Sequence, residues 1–348
     1  MANNQFAYVD QTSQGPRPMH RVLVINGQRP PDRRGCQLRA GSRYVSGMDI
    51  AISNVHLDLG AGRRGTDMGP SAMLVAGLHD QIRALGHRVT DVASYQTGSH
   101  ETAHFGDSSA RFLKEITELC VRLADGVEAS MDAGAFPLAL GGDHAQAIGT
   151  ISGISRHFRK KGQRIGVIWV DAHTDMNTPD SSSTGNIHGM PLAALCGVGP
   201  VELTNIAGGE PALRGEDVCI IGVRDVDARE IPIVREKGVR VYTMSELDSR
   251  GAALCFREAF ARVTAETAGV HLSFDLDGID PSHAPGVGTP VPGGLTLRES
   301  HLICELAHRS GLLGMEMVEL NPTLDERNKT GNLAVWLILS ALGKRILG

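Results

Sequence analysis

Apolar and polar positions in this chain come in blocks. From Met48 onward, short near-continuous apolar runs recur at 48–55 (MDIAISNV), 87–92 (HRVTDV), 136–140 (FPLAL), 165–170 (IGVIWV), 217–223 (DVCIIGV), 239–243 (VRVYT), 270–274 (VHLSF) and 312–318 (LLGMEMV). Between most of them lie longer stretches of helical character, such as 70–86, which opens on Pro70, and 108–134. Proline suits the first turn of a helix, where its missing N–H would have had no partner. Strands apolar on both faces, alternating with helices, predict a parallel sheet covered on both sides. After residue 48 there is no repeat, low-complexity tract or linker, so 48–348 reads as a single α/β domain. Residues 1–47 differ: they hold seven Arg against two acids, and little periodicity beyond one possible strand at 20–27 (HRVLVING). They lack a secretory h-region, and despite an Arg-rich, acid-poor start they read as a flexible or surface-wrapped extension.

Composition narrows the functional classes. A chain of 348 residues can bury a large core. Its net charge of −5 gives no basic footprint for nucleic acid. No apolar run approaches the ~18 residues that a membrane span needs. Six cysteines are scattered without a CxxC pair, a pattern that suits reduced thiols in a cytoplasmic protein.

Open α/β sheets bind ligands beyond the carboxyl ends of their strands. Here five runs end in charged or imidazole side chains. FPLAL leads into GGDH (141–144), IGVIWV into DAHTD (171–175), DVCIIGV into RDVD (224–227), VHLSF into DLDGIDP (275–281) and LLGMEMV into ELNP (319–322). Each has a structural reading on its own. GGDH is a turn before a helix, DLDGIDP a loop with capping aspartates, RDVD a surface ion pair, and a lone His188 a satisfied core histidine. Five together at strand ends predict one cleft. Asp171, Asp175, Asp275 and Asp277 with His144 and His173 could not be buried together without cations. Two divalent ions would balance four aspartates. With only oxygen and nitrogen donors and no Cys, the set favours a hard six-coordinate metal such as Mn²⁺ over structural zinc.

At these motifs the chain resembles the ureohydrolases, and among them the arginases. GGDH, DAHTD, SFDLDGIDP and MVELNP are superfamily signatures. GVIWVDAHTDMNTPDSSSTGNIHG (166–189), IGVRDVDAREI (221–231) and GTPVPGGLTLRE (288–299) are similar to arginases in particular. The resemblance spans roughly 48–348. It implies a three-layer α/β/α fold around an eight-stranded parallel sheet, and a homotrimer or homohexamer. It implies two Mn²⁺ per subunit, one on His144, Asp171, Asp175 and Asp275, the other on Asp171, His173, Asp275 and Asp277. It also implies hydrolysis of L-arginine to L-ornithine and urea by a metal-bridging hydroxide attacking the guanidinium carbon. Asp175 would hold the hydroxide and return a proton to the departing amine, Glu319 would orient the guanidinium, and His188 would shuttle protons. Asn177, Ser182 and Thr184 would serve the substrate carboxylate. Asp227 would hold the α-ammonium, with Glu230 as outer support, and Thr289 completes the substrate-binding set.

Two departures stand out: Ala145 follows GGDH where the family usually has Ser, so a helix-capping hydroxyl is missing, and Thr184 stands where the family usually has Ser. Three other readings remain open. A related guanidino hydrolase would act on agmatine or guanidinobutyrate with the same metals. A one-zinc amide hydrolase of the related deacetylase fold is opposed by the second-site pair His173 and Asp277. A non-catalytic metal-binding paralogue is opposed by His188 and Glu319.

Overall fold

Each of the eight apolar runs named above forms a strand in the computed structural model, which describes residues 47–347. The strands are β1 (Asp49–His56), β2 (Arg88–Gln96), β3 (Phe136–Leu140), β4 (Gly166–Val170), β5 (Val218–Val223), β6 (Arg240–Thr243), β7 (Val270–Asp275) and β8 (Leu312–Val318). They form one parallel sheet in the order β2-β1-β3-β8-β7-β4-β5-β6. The possible strand at 20–27 lies outside the described residues, as does nearly all of the N-terminal extension.

Burial explains the layers. β3, β4, β5 and β7 are buried along their whole lengths, so both faces must be covered. Ile168 and Val170 pack into one core with the helices Gly69–Val75, Leu78–Ala84, Ala252–Thr264, Leu297–Arg309 and Lys329–Ala341. Val167 and Trp169, their alternates on the strand, pack into the other core with Leu113–Asp132, Ala147–Arg159 and Pro191–Leu195. The period of two along each strand thus divides the interior into two layers.

The helices depart from the pattern in two places. The single helix expected over 70–86 is two, because Gly77 adopts φ 80° and restarts the chain as the cap of the second. Pro70 lies in the first turn of the first. The helix expected over 108–134 begins only at Leu113, after Phe112 at φ 55°. Among the described residues no helix is long and apolar enough to cross a membrane.

Strands β3, β8, β7, β4 and β5 are consecutive neighbours in the sheet. All point the same way, so the five charged strand ends lie along one edge. The fold turns a pattern dispersed over some 180 residues of sequence into one contiguous row.

Candidate active site

The row converges on His144, whose Nδ1 lies 3.2 Å from Asp171 Oδ2, 3.1 Å from Asp175 Oδ2 and 3.1 Å from Asp275 Oδ2. A second imidazole, His173, places Nδ1 3.3 Å from Asp171 Oδ1 and 3.2 Å from Asp277 Oδ2. Two metal-compatible groups result, His144–Asp171–Asp275 and Asp171–His173–Asp277, each with ligand atoms within 4.8 Å of one another. They share Asp171, which offers one oxygen to each.

Local backbone chemistry aims these side chains. Asp275 Oδ1 accepts from the Asp277 N–H (2.7 Å) and Asp171 Oδ1 from the His173 N–H (2.7 Å), so each Asp-x-Asp or Asp-x-His step is a tight Asx turn. Asp277 Oδ1 accepts from the Ala172 N–H (3.1 Å), which ties the end of β7 to the end of β4. The indole Nε1 of Trp169 donates to Asp171 Oδ2 (2.9 Å), while the Trp169 ring stacks on His144 at 4.0 Å. Asp175 (φ 51°) and Glu319 (φ 63°) are left-handed non-glycine residues, a conformation costing about 1 kcal/mol or more that functional sites retain. Asp143 Oδ1 accepts from the Ala145 N–H (3.0 Å) and caps the short turn His144–Gln146, whereas the helix that follows, Ala147–Arg159, has no side-chain cap among the described residues.

The electrostatics describe a site built for cations. Burial and the neighbouring Asp171 push Asp175 up to about 8. Burial, Asp277 and Asp171 raise Asp275 well above the usual carboxylate range, and burial with Asp171 raises Asp277. Burial alone would lower His144, yet Asp171, Asp175 and Asp275 hold it well above its ordinary value. The repulsion that raises these carboxylates is the repulsion that a bound cation would relieve. Oxygen and imidazole donors around a shared carboxylate fit two hard or borderline divalent ions.

Glu319 sits beside this cluster. Its Oε1 accepts from the His144 N–H (2.9 Å) and pairs with His188 Nδ1 (2.9 Å), whereas its buried Oε2 has no partner among the described residues. Burial would lower His188, but the Glu319 carboxylate holds it up at about 9. A cavity of about 260 Å³ opens over the cluster, lined by Asn177, Ser182, Thr184, Asp227, Glu230 and Thr289 besides the metal-facing groups. It shares His173, Asn186, His188, Asp225 and Thr289 with an adjoining cavity that reaches Glu319. Asn177 is buried; its Nδ2 donates to Asp227 Oδ2 (3.0 Å) and its Oδ1 accepts from Ser181 (2.8 Å). Glu230 accepts from Thr174 Oγ1 (2.7 Å), the Met176 N–H (3.2 Å) and the Asp227 N–H (3.3 Å), so it braces the loop behind Asp227. Thr289 donates to Asp277 Oδ2 (2.8 Å) and therefore touches the metal-facing cluster as well as the cavity.

Three contributors escaped the sequence pattern. Trp169 and Ser273 reach metal-facing groups from inside strands, where they look like core residues. Arg224 forms no surface ion pair among the described residues; its guanidinium donates to the carbonyls of Val291, Gly222, Gly278 and Asp277 and pins the loop carrying Asp277. Only its place inside the strand-end RDVD hinted at such a role.

A parallel α/β sheet carrying two His/Asp groups around a shared carboxylate at its carboxyl edge defines a metal-dependent hydrolase. Comparison with known proteins narrows this further. The family model described as the arginase family matches residues 48–343. The arginase of Bacillus caldovelox is 49% identical over 300 residues, covering 86% of this chain and 99% of its own, and its crystal structure superposes with a TM-score of 0.82. The arginase of Brevibacillus brevis is 46% identical over 302 residues, with 86% and 99% covered. The structure of Entamoeba histolytica arginase in complex with L-ornithine is 30% identical, with a TM-score of 0.79 and 86% and 100% covered. The chain belongs to the arginase family.

Proposed function

We propose that this protein hydrolyses L-arginine to L-ornithine and urea with two Mn²⁺ ions, held by His144, Asp171, Asp175 and Asp275 on one side and by Asp171, His173, Asp275 and Asp277 on the other. One observation carries the reading beyond metal binding: the buried, unpartnered Oε2 of Glu319 beside the acidic cluster. A carboxylate whose other oxygen is fully engaged presents a single free acceptor, suited to the N–H edge of a guanidinium.

When bound, the ions supply Lewis acidity and bring the pKa of a water near neutrality. The chain's own groups do the rest. Glu319 orients the guanidinium carbon, and the buried walls around Asp171 and Asp275 keep bulk water away. Asp175 takes a proton from the attacking water on a carboxyl oxygen and gives it to the departing ornithine nitrogen. His188 sits at the junction of the two cavities with Nδ1 fixed by Glu319, which leaves its Nε2 to exchange protons with solvent. Steady-state urea release from a panel of guanidino compounds, with and without Mn²⁺, tests the whole assignment. Release from L-arginine that depends on metal is expected; preference for agmatine or guanidinobutyrate, or no turnover with metal bound, would transfer the assignment to one of the alternatives.

His188→Asn should leave both metals in place, because His188 belongs to neither ligand group. Turnover should fall about 10²-fold or more, the usual contribution of a positioned proton carrier, with partial rescue by added imidazole. Loss of a metal ion from this variant, read by elemental analysis, would contradict the shuttle role.

The wider reading includes a cytoplasmic homotrimer or homohexamer. It is supported by five buried free cysteines and by exposed apolar side chains such as Val75, Val201 and Trp336. It also makes residues 1–47 an extension dispensable for chemistry. A chain beginning at Met48 is expected to fold and take up metal like the full chain, as measured by circular dichroism and metal content. Loss of both on truncation would make 1–47 part of the core or of an interface.

A further inference from the structure

His188 is held at two points, and both lead back to the turn that carries His144. Its ring Nδ1 pairs with Glu319 Oε1 (2.9 Å), and that same oxygen accepts from the His144 N–H (2.9 Å). Its backbone N–H donates to the Gly60 carbonyl (3.1 Å), and the Gly60 N–H donates to Asp143 Oδ2 (2.8 Å). The two routes close a ring of hydrogen bonds through Gly60, Asp143, His144, Glu319 and His188, drawn from distant parts of the chain. One route fixes the imidazole, the other the main chain that bears it.

Asp143 has 0% exposure, lines neither cavity and belongs to neither metal group. A carboxyl group is costly to bury unless its oxygens are engaged. Both are, by backbone N–H groups: Oδ2 by Gly60 and Oδ1 by Ala145 (3.0 Å). The Ala145 bond is a local cap that Ser or Asn could make as well. The Gly60 bond crosses 83 positions of sequence, and no cap requires it. Burial and the charge of Glu319 push Asp143 up to about 7, while His188 and the two backbone donors favour its ionised form. Gly60 is not in the left-handed region, so its missing side chain matters for space alone: a Cβ there would stand 2.5 Å from Asp143 Oδ1. Two residues on, a Cβ at Gly62 would stand 2.9 Å from Asn186 Nδ2, so this backbone lies directly against the loop that carries His188.

We propose that Asp143 is a positioning residue that tethers the main chain of His188 through the backbone of Gly60 and so keeps the proton carrier at its working distance from the metal-facing cluster. The inference rests on the shuttle reading of His188 above. A proton carrier acts over hydrogen-bond distances, and a misplacement of about 1 Å is enough to cost much of its effect. With the Gly60 tether released, Glu319 still holds the imidazole, but the main chain and the free Nε2 are no longer fixed against the cavity junction.

The test is a double-variant cycle on the Mn²⁺-loaded full chain, read by steady-state urea release from L-arginine and by metal content. His188→Asn comes first: undiminished turnover or a lost metal in that variant would overturn the shuttle reading itself, before Asp143 is compared. Asp143→Asn keeps the shape, but its amide cannot accept from both Gly60 and Ala145. Both ions should stay, KM should hold within about twofold, and kcat should fall at least ~10-fold, a share of the ~10²-fold that a positioned proton carrier supplies. Added imidazole should restore part of that loss, which a purely structural defect would not allow. Placed on His188→Asn, the same substitution should cost less than about twofold more, since both changes act through one side chain. Unchanged kcat in Asp143→Asn, loss of a metal ion from it, no response to imidazole, or losses that multiply in the double variant would each overturn the proposal. If Asp143→Asn does not fold, Gly60→Ala replaces it in the same cycle, its Cβ forcing Gly60 away from Asp143: silence on the His188→Asn background supports the tether, and losses that multiply overturn it.

Discussion

Asp171→Ala is expected to abolish urea release, to below about a thousandth of the original rate, and to leave neither Mn²⁺ tightly held. The size follows from its place. Removing an outer partner of a ligand costs about 10–100-fold, and Asp171 is the residue common to both groups, reaching His144 with one oxygen and His173 with the other. Without it, the first proposed set keeps His144, Asp175 and Asp275, and the second keeps His173, Asp275 and Asp277, of which Asp277 alone lies against His173 among the described residues. Elemental analysis after gel filtration reads the metal loss directly. Thermal unfolding reads it a second way: saturating Mn²⁺ at about 100 times its dissociation constant stabilises a native site by ~2.7 kcal/mol, and that gain should vanish in the variant. Metal uptake should also weaken as pH falls. His144 holds its proton well above the ordinary histidine range, so a cation must displace that proton, and acid favours the protonated, metal-free state. A variant that retained two ions and measurable turnover would remove Asp171 from its bridging role. A single tightly held zinc in the unsubstituted protein would remove the two-manganese assignment altogether.

The parts of this molecule that were readable in the sequence share a physical cause. Central parallel strands are buried on both faces, so β3, β4, β5, β7 and β8 announce themselves as near-continuous apolar runs, and ligands sit where those runs stop. That is why the sequence alone places DAHTD and DLDGID on one edge. The edge strand β2 is different: most of its residues are exposed or half-buried, and its last four, Ala93 to Gln96, carry little strand signal. The break at Gly77 is a local backbone event inside an otherwise helical pattern. What sequence could not show is contact between elements far apart in the chain. Ser273 meets His144 across 129 positions, and Glu319 meets His188 across 131. Arg224 is the sharpest case. Its partners are carbonyl oxygens, which every residue carries, so no side-chain pattern could have named them.

Substrate choice is the second large effect, and Asn177 is the residue on which it should turn. L-Arginine and agmatine present the same guanidinium and differ by one α-carboxylate. The Asn177 amide gives one N–H to Asp227, its oxygen is taken by Ser181, its second N–H has no partner among the described residues, and the residue lines the cavity. Its orientation is therefore fixed, with a donor available to a carboxylate. Ser182 and Thr184 line the same wall, with hydroxyls 3.4 Å apart. Agmatine would cover these groups without pairing them, at about 1–3 kcal/mol for each one desolvated. Two such groups give an expected preference for L-arginine of at least ~100-fold in kcat/KM, at ~1.4 kcal/mol per tenfold. Asn177→Asp keeps the shape and reverses the chemistry. A carboxylate there would repel both the substrate carboxylate and Asp227, and like charges in contact cost several kcal/mol. The variant should therefore lose about 100-fold or more on L-arginine, while agmatine, lacking the carboxylate, loses much less. Asp227→Ala should weaken both substrates, because both retain an amine for it to hold. Paired kcat/KM measurements on the three proteins decide the matter. Equal efficiency on the two substrates in the unsubstituted protein, or equal losses on both in Asn177→Asp, would show that this wall does not read the α-carboxylate and would favour a broader guanidino hydrolase.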